Sequence, residues 1–184
     1  MEDLSLHILD IVENSVTAGA DMITITVCED AKEDLLTIEI VDNGRGMPET
    51  VLEKAADPFY TQRKTRRVGL GLSLLRQAAE MANGSFSIES KEGRGTTVKA
   101  RFQYSHIDRQ PLGDMGETMV TLVIGNPQVD FSYEHTKNGA VSTFDTRAIK
   151  KELSSTPLSS PKGIRAVREL LKRSKRILSE AKSK

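Results

Sequence analysis

Residues 42–47 read Asp-Asn-Gly-Arg-Gly-Met, DNGRGM, and follow an alternating apolar run, Leu36, Ile38 and Ile40, that reads as a half-buried strand. A plain hairpin turn needs fewer special residues than these two glycines, an acid and an amide. Gly44 and Gly46 allow positive φ and would let a flat ligand lie against bare backbone. Asp42, at the strand's end, is the right acceptor for an exocyclic amine on a pocket floor, which suits adenine. Asp-Asn-Gly is also an ordinary turn sequence, so the hexapeptide alone leaves both readings open.

Downstream, VGLGLSLL opens a helix with Gly69 and Gly71 straddling its first turn. Bare amides at a helix start form an anion site supported by the macrodipole, which suits phosphates, although a lone G-x-G often serves only close packing. Just before it, QRKTRR sets Arg63, Lys64, Arg66 and Arg67 on a loop able to close over a polyphosphate or simply to sit in solvent. Upstream, Asp10 and Asn14 lie four apart on one face of a helix whose neighbouring positions are apolar. A carboxylate that can take a proton and an amide oxygen that can bind Mg²⁺ would serve a triphosphate; either could equally be a capping or solvent-facing residue.

The elements around these clusters follow from periodicity. Leu4, Ile8, Ile11, Val12 and Val16 predict an amphipathic helix over about 3–18, with Asp3 as cap and Gly19 as stop. Ile23, Ile25 and Val27 alternate with threonines in a strand joined to the next by EDAKED. A short helix near 49–56, a basic loop and a helix near 69–82 precede two more alternating strands, one with Phe86 and Ile88, the other with Val98, Ala100 and Phe102, linked by KEGRG. A sheet with one apolar face and helices to cover it is an α/β two-layer sandwich.

In order, these stretches resemble the boxes of the GHKL superfamily, the ATP-binding fold of gyrase, heat-shock chaperone ATPases, histidine kinases and mismatch-repair ATPases. LHILDIVENSVTAGADMITITV looks like the N box, VDNGRGM the first glycine box, DPFYT the F box that begins the lid, VGLGLSLL the second glycine box and GRGTTVKARF the closing strand pair. The resemblance covers about residues 4–104. It implies the Bergerat fold, a mixed and largely antiparallel sheet with helices on one face, and it implies ATP and Mg²⁺ as cofactors. Carried over position by position, it gives Asn14 to the metal and Asp42 to the adenine amine. It also implies nucleotide contacts from Gly44, Gly46, Met47, Phe59, Arg63, Lys64, Gly69, Leu70, Gly71, Leu72 and Thr96.

The branch is mixed. ENSVTAGA before ITITV is similar to mismatch-repair ATPases, where a water-activating glutamate stands at the position of Asp10. DPFYT, GLGLSLL and GRGTTV look like histidine kinases, which commonly carry asparagine there and lysine at the position of Thr17. Asp10 is thus the candidate catalytic base, one methylene shorter than glutamate, and positioning errors of about 1 Å can cost on the order of 100-fold.

Beyond Tyr104 the sequence predicts a short helix over 113–125, a hairpin from Val129–His135 and Ala140–Thr146 turning at Asn138-Gly139, and a helix over Thr146–Leu153. SSTPLSSPKG reads as a linker before a basic amphipathic helix over 162–182. The expected division is 1–104 for the ATP-binding domain, 105–153 for a small α-β-β-α extension, and 154–184 for linker and basic helix. SHIDRQPL, residues 105–112, resembles the phospho-acceptor box of histidine kinases with its acid displaced by one position. It follows the last strand almost at once instead of preceding the domain, so His106 is either an autophosphorylation site or a histidine at a strand exit. His7, on the apolar face of the first helix, reads as a satisfied core residue.

The 184 residues carry 26 Lys or Arg and 26 Asp or Glu, a balance that favours neither nucleic acid nor membrane as partner. It is not local: from Lys150 onward 11 bases face 3 acids, leaving an acidic body before a basic tail, which suggests docking or a protein-partner arm. One cysteine, Cys28, and the lack of a signal peptide or of roughly 20 consecutive apolar residues point to a cytoplasmic protein and to Cys28 as a small filler. The expectation is a stand-alone histidine-kinase-like enzyme transferring the γ-phosphoryl of Mg-ATP to a separate phospho-acceptor protein. An ATP-dependent switch or slow ATPase is the alternative, and a homodimer is compatible with either.

Overall fold

The computed structural model describes residues 3–55, 71–154 and 156–180, with side chains absent from the description at 53–55. Helix α1, Leu4–Thr17, starts at Asp3, whose carboxylate accepts from Leu6 N, and its buried stripe is Leu4, Ile8, Ile11 and Val12. Gly19, at φ +79°, turns the chain into β1, Met22–Asp30, which pairs antiparallel with β2, Leu35–Asp42. After α2, Glu49–Ala55, and α3, Gly71–Met81, come β3, Ser85–Lys91, and β4, Gly95–Gln103, the latter antiparallel to both β2 and β3.

The chain then adds α4, Met115–Gly125, β5, Asp130–Lys137, β6, Ala140–Asp145, α5, Thr146–Glu152, and α6, Pro161–Glu180. The predicted hairpin turns at Asn138 and Gly139, both at positive φ, as a two-residue hairpin loop requires. It enlarges the main sheet: β5 pairs in parallel with β1, and the strand order is β3-β4-β2-β1-β5-β6. A parallel neighbour needs a crossover, and α4 lies on the connection that leads into β5.

Alternation decides the layers. Ile23, Ile25, Val27, Leu36, Ile38, Ile40, Ala100 and Phe102 are almost fully buried under helices, while the residues between them are half-buried or exposed. The architecture is therefore the expected α/β two-layer sandwich with a mixed, largely antiparallel sheet. Cys28 lies half-buried among the alternate positions, and burial together with Asp30, Glu134 and Glu29 pushes its thiol pKa up, which makes it a weak nucleophile. His7 is buried and hydrogen-bonds Gln110 Oε1 through Nε2 at 3.0 Å, as a satisfied core histidine should.

The basic helix docks. Val167 and Leu171 are buried in the core, and Arg168 and Lys175 form ion pairs with Glu117 and Asp114 at the start of α4, at 3.0 and 2.9 Å. Among the described residues, no helix is long and apolar enough to cross a membrane.

Candidate nucleotide site

The strand end at Asp42 is built by three neighbours. Asp42, 7% exposed, accepts from Ser15 Oγ at 2.6 Å on Oδ2 and from Gly44 N at 2.9 Å on Oδ1. Two donors fill only part of a carboxylate's capacity of about four lone-pair sites, so Asp42 stays buried, oriented and able to accept again. Next to it, Asn43 ties the strand end to the start of β1: its Oδ1 accepts from Asp21 N and Met22 N, and its Nδ2 donates to Asp21 Oδ1. The amide of the hexapeptide is thus a structural clamp.

The two glycines serve different ends. Gly46 sits at φ +64°, and a Cβ there would lie 2.0 Å from Lys91 O, so both conformation and space demand glycine. Gly44 does not take positive φ; a Cβ on it would come within 3.1 Å of Ala18 Cβ and of Asp42 Oδ1. It allows the loop to approach the end of α1, where Arg45 N donates to Ala18 O at 3.0 Å.

Thr96 is the register partner of Asp42 across β2 and β4. Its hydroxyl lies 3.0 Å from Ser90 Oγ, which accepts from Met47 N at 2.9 Å and donates to Gly95 O. One hydroxyl on β3 therefore holds the hexapeptide's last residue against the closing strand pair.

Asp10 is exposed and Asn14 half-buried on α1; Asn14 directly precedes Ser15, and Asp10 lies more than one turn from it toward the helix start. Gly71, the first residue of α3, packs so closely on α1 that a Cβ there would stand 2.8 Å from Asp10 Cβ. Leu72 follows half-buried, and the next residue, Ser73, is 9% exposed. Asp10, Asn14, Asp42, Gly44, Gly46, Met47, Gly71, Leu72 and Thr96 thus come from elements that meet at one end of the sheet. Phe59, Arg63, Lys64, Gly69 and Leu70 lie outside the described residues. Ser15 and Ser90 were not singled out from sequence; Ser15, a polar residue on the apolar stripe of α1, carried the signal that could have found it.

The donor set suits a magnesium nucleotide: a buried carboxylate with spare acceptor capacity, and an amide oxygen and a carboxylate together on one helix face. Comparison with known proteins agrees in kind. The family model described as "Histidine kinase-, DNA gyrase B-, and HSP90-like ATPase" matches residues 2–106. Over 108 residues, 59% of this chain, it is 25% identical to a putative sensor histidine kinase NtrY-like of Rickettsia conorii (strain ATCC VR-613 / Malish 7), of which the match spans 18%. It is 30% identical over 111 residues to sensor histidine kinase WalK of Bacillus subtilis (strain 168), covering 56% of this chain and 18% of WalK. The chain thus corresponds to less than a fifth of either kinase. A crystal structure of the N-terminal domain of a DNA repair protein superposes with a TM-score of 0.54 at 19% identity, covering 78% of this chain and 52% of that one, a likeness of fold. With more than half its length matched, the chain belongs to the histidine kinase-, DNA gyrase B-, and HSP90-like ATPase family, as a histidine kinase-like ATPase domain homologous to sensor kinases.

Proposed function

We propose that this chain binds Mg-ATP and transfers its γ-phosphoryl group to a separate partner protein in bacterial regulation, acting in the cytoplasm. The observation that carries the reading is the doubly held, buried Asp42 at the strand end beside the α1 face of Asp10 and Asn14. The bound nucleotide supplies the transferable phosphoryl group. Asp42 accepts from the adenine amine, with Thr96 beside it and Gly44, Gly46 and Met47 as the loop the base lies against. Asn14 holds the metal through its amide oxygen, while Asp10 orients the attacking group or takes its proton. Gly71 and Leu72 begin a helix whose first amides suit a phosphate, and Phe59, Arg63, Lys64, Gly69 and Leu70 belong to the same proposed site. In this division residues 1–104 bind nucleotide, 105–153 form a small α-β-β-α extension, and 154–184 are a linker and a basic C-terminal helix.

The test is incubation with γ-labelled ATP, alone and with proteins captured on the nucleotide-loaded chain. Label on a captured partner supports the kinase reading. Free labelled phosphate without labelled protein means a hydrolase, and saturable binding with no turnover of any kind means an ATP-dependent switch.

A further inference from the structure

A cleft of about 380 Å³ opens between β5, the start of α4 and the docked α6, at the low end of the volumes at which small-molecule sites begin. It is remote from the proposed nucleotide end. Ile23 pairs with Asp42, whereas Glu29, which lines the cleft, lies six residues further along β1, roughly 20 Å at strand rise. Leu112, Met115, Leu171 and Leu178 give its walls an apolar character.

Its floor is a polar chain of defined direction. Tyr133 Oη lies 2.9 Å from His135 Nδ1, and His135 Nε2 lies 2.9 Å from Glu29 Oε1. Lys137 Nζ and Tyr104 Oη donate to Glu29 Oε2 at 2.7 and 3.2 Å. Burial pushes the Glu29 pKa up, but the hydrogen bonds and charges of His135 and Lys137 outweigh it and hold the carboxyl at about 2. Glu29 is therefore an acceptor only, so His135 Nε2 carries the proton. In the neutral ring Nδ1 then accepts, and the Tyr133 hydroxyl donates to it. Burial, with Glu29 and Asp114 nearby, raises the phenol's pKa further, so it stays protonated. Its donor is spent inward while its oxygen lone pairs remain.

At the rim, Asp114 accepts from Glu117 N at 3.1 Å and from Lys175 Nζ at 2.9 Å. Lys175 is mostly exposed and Lys137 is already paired with Glu29, so among the described residues the cations at this cleft are matched by carboxylates. Such a site takes no excess charge. What it has left to offer is an apolar wall, the Ser174 hydroxyl and an acceptor at Tyr133.

The geometry points to this cleft as a second ligand site, which takes a compact, uncharged apolar molecule, one or two rings in size, that donates a single N–H or O–H to Tyr133 Oη. The nucleotide reading is independent of it.

The experiment titrates the full chain, observed by NMR, with indole and with benzofuran, an isostere with oxygen in place of the N–H. Indole is expected to saturate shifts at Tyr133, Leu171 and Leu178, and to bind roughly fivefold tighter than benzofuran, the worth of one neutral hydrogen bond. In Tyr133→Phe the two probes should bind alike. Ser174→Leu, which fills the cleft from α6, should abolish binding while raising the melting temperature, so a failure to fold cannot pass for a loss of the site. No saturable shift at these residues with either probe overturns the proposal. So does an indole preference that survives Tyr133→Phe, or binding that survives Ser174→Leu.

Discussion

Ser15 Oγ donates to Asp42 Oδ2 at 2.6 Å from the apolar face of α1, with both residues buried. The bond joins a helix to the end of a strand 27 residues later and sets which way the carboxylate faces. Gly44 N fixes the other oxygen. Replacing Ser15 with alanine should therefore weaken Mg-ATP binding by about tenfold, near the lower end of the 1.5–3 kcal/mol typical of a hydrogen bond to a charged group. Ser15→Thr should restore most of it, and Asp42→Asn should lose more than either, since the amide presents a donor where the adenine amine needs an acceptor. Titration calorimetry reads all three; equal affinity in the wild type and Asp42→Asn would remove adenine recognition from this acid.

Gly71 against Asp10 is a packing contact with the proposed catalytic base. A methyl at position 71 meets Asp10 Cβ at 2.8 Å, and a Cβ cannot rotate away. Gly71→Ala should force α3 from α1, cost about 1–3 kcal/mol of stability, and depress turnover more than it depresses adenosine binding. Urea denaturation reads the loss of stability, and turnover of γ-labelled ATP set beside adenosine affinity reads the second effect.

Much of this fold was legible because it is written in short periods. The stripe Leu4, Ile8, Ile11, Val12 places α1 within a residue, the alternation through Ile23–Val27 and Leu36–Ile40 marks β1 and β2, although β1 runs two residues into the expected EDAKED turn, and Asn138-Gly139 marks its hairpin. What stayed hidden is non-local. Nothing in residues 130–137 says that they pair in parallel with β1, because a parallel register leaves no turn between its strands. The same holds within the site: Asn43 looked like part of a ligand loop and proves to clamp Asp21 and Met22, a role set by a partner 21 residues away. The Glu29–His135 contact had a faint signal, since both are polar residues at inward positions of alternating strands.

That contact sets an acid limb of stability. The Glu29 carboxyl is depressed from its ordinary 4.5 to about 2, so its contribution is fully present above about pH 4.5 and is lost as the pH falls through about 2. The shift corresponds to something on the order of 3 kcal/mol. Glu29→Gln should lower the melting temperature at neutral pH, leaving Lys137 without its buried counter-charge. The gap between wild type and variant should close between pH 4.5 and 2. A constant gap across that range would mean that the loss is one of packing.

Helix α6 is held by its apolar stripe more than by its charges. Arg168 and Lys175 are about half or more exposed where they meet Glu117 and Asp114, and such pairs contribute about 0–1 kcal/mol each. Leu171 is 5% exposed, and Leu171→Ala should cost about 2 kcal/mol, the low end for a buried leucine because the cleft already adjoins it. Arg168→Ala and Lys175→Ala should change stability by less than about 1 kcal/mol. Proteolysis within residues 154–160 should quicken only in the leucine variant. The reverse ranking would make α6 an electrostatic arm that salt alone could release.

His106 occupies an acceptor-like sequence whose residues are engaged in local structure. Ser105 bonds Asp34 through N and Oγ, Arg109 Nε donates to Tyr104 O at 2.6 Å, and His106 Nδ1 accepts from Asp108 N. These contacts build a turn at the exit of β4. Thr96 lies at the other end of that strand, seven residues before Gln103, roughly 24 Å at strand rise. Asp10 is five helical residues from Ser15, only about 7–8 Å along α1, so the proposed base does not span the gap. His106→Gln should therefore leave both ATP binding and partner labelling unchanged, and the wild type incubated alone with γ-labelled ATP should carry no acid-labile label. Label that appears on the isolated wild type and vanishes in His106→Gln would establish this histidine as the acceptor. It would also require one copy of the chain to present its β4 exit to the nucleotide of another, which labelling at rising protein concentration would reveal as a rate second order in protein.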